Sequence, residues 1–276
     1  MLLRKESKPC LDRKPPMKTA SYILLFLSFC LTVSAQDQVS TKGKRRPYLQ
    51  LNYHSGSFWT RSEYLKETLE DPYKALELRF GFQSTGTELW KQYNKYPKYG
   101  FGIHYSDLVQ DPADTTIGNP ISLFIFYSGP WARWGRFTLA TDISAGLSYM
   151  GRIHDPVTNP FNDVVASHTN LYFELNLNLG YNINKRMGMY AGYGLTHYSN
   201  GRIHQPQKGI NNWGWTAGMS YLFHDRVESF IYQEAPEFHP SESIQLMYAV
   251  GVVEEILWRS NTKASYFTSS FTADYA

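Results

Sequence analysis

The stretch His197-Tyr198-Ser199-Asn200, followed by Gly209-Ile210-Asn211, brings a base, a nucleophile and two amide side chains close together in the sequence. On an extended chain, residues two apart share a face with Cα atoms about 6.7 Å apart. An imidazole nitrogen of His197 can therefore reach the Ser199 hydroxyl. The chemistry this permits is acyl transfer: neutral His197 takes the proton, Ser199 attacks an ester carbonyl, and the Asn200 side chain or nearby backbone N–H groups stabilise the oxyanion. Asn211 would hold the imidazole tautomer, as an Asn does in some cysteine proteases. An amide offers no full negative charge to an imidazolium, so catalysis should be weaker than with a carboxylate.

The elements that position these residues read as β-strands. Met187, Met189, Ala191, Tyr193 and Leu195 alternate with a face rich in Gly188, Gly192 and Gly194. Continuing that alternation puts His197 and Ser199 on the apolar face, and Asn211 falls in step with Trp213 and Trp215. A hairpin centred near Gln205 would set Asn211 beside Ser199, with its neighbours beside His197. The same period of two recurs at 47–53, 76–82, 99–105, 121–127, 137–149, 171–179, 213–223, 244–252 and 264–274. Each run approaches the roughly ten residues that a tilted membrane strand needs. The reading is all-β: an antiparallel transmembrane β-barrel of about eight to ten strands, of the outer-membrane type. A soluble sandwich shares the alternation, but a small, glycine-rich second face suits the interior of a narrow barrel better. In such a barrel His197, Ser199 and Asn211 look into lipid, where polar residues need a reason.

Composition agrees. Aromatic residues make up 16% of the chain, with 21 Tyr and 7 Trp, a content suited to the girdles of a membrane barrel. Lys and Arg total 27 against 24 Asp and Glu, so no basic excess argues for nucleic acid as a partner. The segment from Met17 to Ala35 has the basic start, apolar heart and small-residue end of a secretory signal. Residues 1–35 are thus expected to be a signal peptide with an upstream extension, and 36–276 a single barrel domain. Both cysteines, Cys10 and Cys30, lie in the first segment, which excludes thiol catalysis and thiolate metal sites from the remainder. Phe29 directly before Cys30 argues against a lipid anchor there.

At this point the residues resemble a family. His197-Tyr198-Ser199-Asn200, then Gln205-Pro206, then Gly209-Ile210 and a residue fourteen positions after the histidine, resemble the outer-membrane lipid A 3-O-deacylases (acyloxyacyl hydrolase-like). The resemblance covers Met187 to Phe223 and its flanks. It implies an eight-stranded barrel with a His-Ser-Glu triad on its lipid-facing surface, removing the ester-linked acyl chain at position 3 of lipid A. It implies His197 as base, Ser199 as nucleophile and Asn200 as oxyanion contributor. The substrate would be lipid A or lipopolysaccharide among the outer-membrane lipids of a Gram-negative bacterium, with no metal and no cofactor. The chain departs from the family pattern twice. The position of the family's Glu is Asn211, and Gly201-Arg202 follows Asn200 where a pair ending in Gly is expected. The alternative is a non-catalytic barrel of the same lineage, serving as scaffold, channel or binding protein.

Other polar residues read as scaffold. Glu174 and Asp142, the nearest strand carboxylates to the site, fall on inward faces. His104 reads as an interior, hydrogen-bonded histidine, and His54-Ser55-Gly56-Ser57 as a loop or rim. Residues 54–74 are expected to form a short amphipathic helix or loop. Glu254-Glu255 reads as a solvated turn, and no histidine spacing marks a metal site. Trp213 and Trp215 read as girdle residues that could also wall an acyl groove.

Overall fold

The computed structural model describes residues 45–276 apart from 69–71, 109–115, 207, 228–229, 231, 233–241, 258–261 and 276. The expected signal segment and both cysteines lie outside the described residues.

Eight strands form a closed antiparallel barrel in chain order: β1 (Arg46–Trp59), β2 (Tyr73–Gln83), β3 (Lys98–Asp107), β4 (Ile121–Trp134), β5 (Phe137–Tyr149), β6 (Thr169–Asn182), β7 (Met187–Ser199) and β8 (Ile210–Leu222). Strand β8 pairs back onto β1, with Tyr48 opposite Leu222 and Trp59 opposite Asn211, so no edge is left open. Two short helices, α1 (Glu63–Thr68) and α2 (Leu89–Tyr93), lie in connections. Two further strands, β9 (Ile244–Leu257) and β10 (Thr262–Tyr275), pair with each other in a separate sheet. The expected range of eight to ten strands thus resolves into eight in the barrel and two beyond it.

The alternation dictates which face each side chain takes. On β6, Leu171, Phe173, Leu175, Leu177 and Leu179 point out, while Asn170, Tyr172, Glu174, Asn176 and Asn178 are buried inside. Exposures of 64% for Leu123 and 70% for Ile125 would be costly in water and are natural against lipid. The joins at 135–136 and 183–186 are short and share one end with Arg46 and Leu222. The connections at 108–120, 150–168 and 200–209 are longer and share the other end, with 60–72. That asymmetry is the one outer-membrane barrels show between periplasmic turns and outer loops. The connection at 84–97, which carries α2, is the long exception at the short end.

Inside, the barrel is crossed by ion pairs. Arg79 Nε donates to Glu77 Oε1 at 2.5 Å, Nη1 to Asp142 Oδ2 at 2.5 Å and Nη2 to Glu174 Oε2 at 3.0 Å. Its guanidinium also lies 5.0 Å from the centre of the Phe126 ring. Four strands are tied through one planar fork, which suits Arg and would not suit Lys.

One expectation is corrected here. Strand β1 was expected to stop at Tyr53, with His54 in a loop or at the rim; it runs on to Trp59, and His54 is buried in the barrel. Ser55, Gly56 and Ser57 interrupt the apolar alternation, yet their backbones stay paired with β2 or β8. Residues 54–74 therefore hold the end of β1, then α1, then the start of β2.

Candidate active site

Strands β7 and β8 hold the site at the long-loop end of the barrel wall. His197 lies directly opposite Asn211, with Phe173 on its other side and Trp59 beyond Asn211. Ser199, two residues on, lies opposite Leu171 on the same outward face. His197, Ser199 and Asn211 are all half-buried, whereas the intervening Tyr198 is buried inside. This differs from the expected register. The hairpin is centred one residue before Gln205, which moves Asn211 from beside Ser199 to beside His197. A shift of one residue in a hairpin centre moves every cross-strand partner by two.

That register makes an oriented imidazole. His197 Nδ1 and Asn211 Oδ1 are 2.6 Å apart. The Asn211 Nδ2 group donates to the Trp59 carbonyl at 3.2 Å, which fixes the amide with its oxygen toward His197. An amide oxygen only accepts, so Nδ1 carries the proton and Nε2 keeps its lone pair. Trp59 is the contributor that the sequence pattern missed, because it sits beyond the point where the alternation in β1 breaks down.

Asn200 is buried, and its side chain organises the turn: Oδ1 accepts from Arg202 N–H at 3.0 Å and Nδ2 donates to His204 O at 3.1 Å. Gly201 and Arg202 both have positive φ, 65° and 64°, and Ile203 N–H returns to Asn200 O at 3.3 Å. This is a type I′ turn, in which Gly201 is at ease and Arg202 is strained. The turn aims the Gly201 N–H at Ser199 Oγ, 3.2 Å away. Gly209, at φ +69°, closes the loop; a Cβ there would lie 3.1 Å from Tyr198 O and 3.5 Å from His197 Cε1. A glycine is therefore favoured by the positive φ and by the close approach to the Tyr198 carbonyl, while the imidazole stands at ordinary contact distance.

Glu254 also belongs to this loop rather than to a solvated turn. Its carboxylate accepts from Gln205 N–H at 2.8 Å, and its own N–H donates to Arg202 O at 3.0 Å, so β9 is fastened to the β7–β8 connection. Below the site, the Tyr193 ring stacks on Trp213 with centres 6.3 Å apart and meets Trp215 edge-on at 5.0 Å. Trp215 is 70% exposed. These rings make an aromatic wall running from His197 along the barrel surface. Glu174 and Asp142 face inward as the alternation predicts, engaged with Arg79. Neither can serve as the orienting group for His197.

A closed antiparallel barrel with an apolar outer wall, an aromatic rim and a His-Ser pair on that wall is an outer-membrane β-barrel with polar equipment turned toward lipid. The family model for lipid A 3-O-deacylase (PagL) matches residues 74–220, over half of the sequence. The chain belongs to that family. A search of curated proteins gives no significant match. Similar solved structures include Neisserial surface protein A (NspA), with 9% identity, a TM-score of 0.43 and coverage of 63% of this chain and 96% of that one. They also include the outer-membrane enzyme PagL, with 14% identity, a TM-score of 0.37 and coverage of 61% and 97%.

Proposed function

We propose that the protein is an outer-membrane serine esterase that removes the ester-linked acyl chain at position 3 of lipid A. Family membership supports the substrate class, and the observation that carries the mechanism is the 2.6 Å contact between His197 Nδ1 and Asn211 Oδ1 on the lipid-facing wall. In this mechanism Ser199 Oγ attacks the ester carbonyl as its proton passes to His197 Nε2. Negative charge gathers on the former carbonyl oxygen. The Gly201 N–H supplies one backbone donor beside it, and Asn200 contributes by holding the turn that carries that N–H. The intermediate collapses with cleavage of the bond to the sugar oxygen, which takes the proton from His197 and leaves as a free hydroxyl. Water, activated by the same imidazole, then releases the fatty acid from Ser199.

The site sits where its substrate sits. An acyl chain of a lipid in the outer leaflet runs alongside the barrel wall, so the ester arrives at the rim while its hydrocarbon lies against Tyr193, Trp213 and Trp215. No cofactor enters these steps. A second reading, a barrel of the same lineage without catalysis, is favoured by Asn211 standing where the family carries Glu. Conduction through the barrel is a poor version of that reading, because the Arg79 ion pairs cross the interior.

Mass spectrometry of lipid A from cells expressing the wild type beside Ser199→Ala separates the readings. Loss of one ester-linked hydroxyacyl chain with the wild type alone is the expected result. Unchanged lipid A in both, with the barrel in the outer membrane, would favour the non-catalytic reading.

A further inference from the structure

Three neighbouring strands, of which β1 meets the rim site only through Trp59, bring a second set of donors together inside the barrel. His54 on β1, Glu77 on β2 and His104 on β3 are each no more than 2% exposed. One atom from each, His54 Nε2, Glu77 Oε2 and His104 Nδ1, lies within 4.8 Å of the other two. Glu77 Oε2 is 3.8 Å from His54 Nε2 and 3.4 Å from His104 Nδ1. Ligand atoms around a tetrahedral zinc stand about 3.3 Å apart, given metal–ligand distances near 2.0–2.1 Å. Shifts of about an ångström or less would bring the three onto one ion. We propose that His54, Glu77 and His104 bind a divalent transition-metal ion, zinc by ligand type, inside the barrel.

Three observations support this independently of the spacing. First, His54 Nε2 is fully enclosed and has no hydrogen-bond partner among the described residues, an unusual state for a buried ring nitrogen. Second, the outer atom of each ligand is already held. Thr216 Oγ1 is 2.9 Å from His54 Nδ1, and Ser106 Oγ is 2.9 Å from His104 Nε2. Glu77 Oε1 accepts from Asn52 at 2.7 Å and from Arg79 at 2.5 Å, which turns Oε2 toward the two histidines. Partners of this kind orient metal-bound imidazoles and carboxylates. Third, among the described buried side chains of the barrel strands, Arg79 is the one Arg or Lys, and it faces three carboxyl groups, Glu77, Asp142 and Glu174. A metal cation adds positive charge to this acidic interior, where water cannot screen it.

The site escapes a sequence search because its ligands come from separate strands, so no short metal-binding spacing exists to find. It is also closed to lipid and solvent, so the ion would enter as the barrel forms. On its far side the shell continues from Ser106 to the Tyr198 hydroxyl at 2.8 Å, placing it directly behind the strand that carries His197 and Ser199.

The test uses the untagged full chain refolded from urea into detergent micelles with zinc or cobalt(II), then freed of loose metal by gel filtration. The wild type is expected to retain about one zinc per chain and, with cobalt, to show the intense visible absorption of a tetrahedral site. His54→Gln and His104→Gln should each lose both signals, while His224→Gln, in the loop after β8, keeps them. Heat-dependent gel mobility reports folding, and zinc should raise its midpoint in the wild type but not in the two variants. A wild type that retains no metal would overturn the proposal, as would folded His54→Gln or His104→Gln proteins that retain it fully. If neither variant folds, the cobalt spectrum of the wild type decides: tetrahedral absorption sustains the site and its absence ends it.

Discussion

His197 and His104 lie on strands of one barrel under opposite conditions. His197 stands half-buried on the outer wall with a single neutral partner, Asn211, and a ring nitrogen left for chemistry. His104 is enclosed, with Ser106 on one ring nitrogen and Glu77 near the other, within a group of acidic side chains tied to Arg79. The outer site is loosely determined and open to a substrate. The inner one joins several strands, and each polar group in it depends on the others. On the proposed mechanism, polar residues on the wall of this barrel serve reactivity, whereas those in its interior hold strands together.

The contrast can be broken by separating activity from stability. Ser199→Ala should cost at least about 10³-fold in deacylation by the purified protein while leaving its unfolding free energy in urea within about 0.5 kcal/mol of wild type. Comparable losses of both would mean that Ser199 is scaffold. Arg79→Met should do the reverse to folding, costing about 3–5 kcal/mol because three carboxylates lose their shared cation. Urea titration in micelles measures this, and an unchanged midpoint would show that the interior is not organised around Arg79.

Smaller effects sharpen the comparison at the rim. Asn211→Ala frees the imidazole to rotate and change tautomer, so kcat/KM should fall about 10- to 100-fold, equivalent to about 1.4–2.8 kcal/mol. Asn211→Glu should raise kcat above wild type by stabilising the imidazolium; a lower kcat would indicate that the amide is tuned to this site. Arg202→Gly should stabilise the barrel by up to about 1 kcal/mol by relieving a positive φ, with activity retained because Arg202 joins the turn through its backbone N–H and carbonyl, which glycine keeps. A destabilised Arg202→Gly would assign the arginine side chain a contact of its own.

Much of this was legible in the sequence because strand alternation is a local property. The outward placement of His197, Ser199 and the tryptophans, and the inward placement of His104, Asp142 and Glu174, follow from counting in twos along each strand. Pairing is not local. Strands β9 and β10 alternate as the barrel strands do, yet they pair with each other, and nothing within either run distinguishes the outcomes. The register of β7 on β8 depends on a turn whose strained Arg202 gives no clear signal, which is why Asn211 was placed beside the wrong residue. His54 was lost because three small residues after it ended the apolar rhythm while the hydrogen-bond ladder continued. Arg79 meets Asp142 and Glu174 across 63 and 95 residues of sequence, a coincidence that only closure of the barrel creates.

The most direct test of the rim mechanism is covalent. Purified barrel in micelles is treated with a lipophilic serine-reactive phosphonate and its peptides are weighed by mass spectrometry. A single adduct on the peptide bearing Ser199, lost in His197→Ala and weakened in Asn211→Ala, is the predicted result. An adduct on another residue, or labelling of Ser199 that is indifferent to His197, would contradict it.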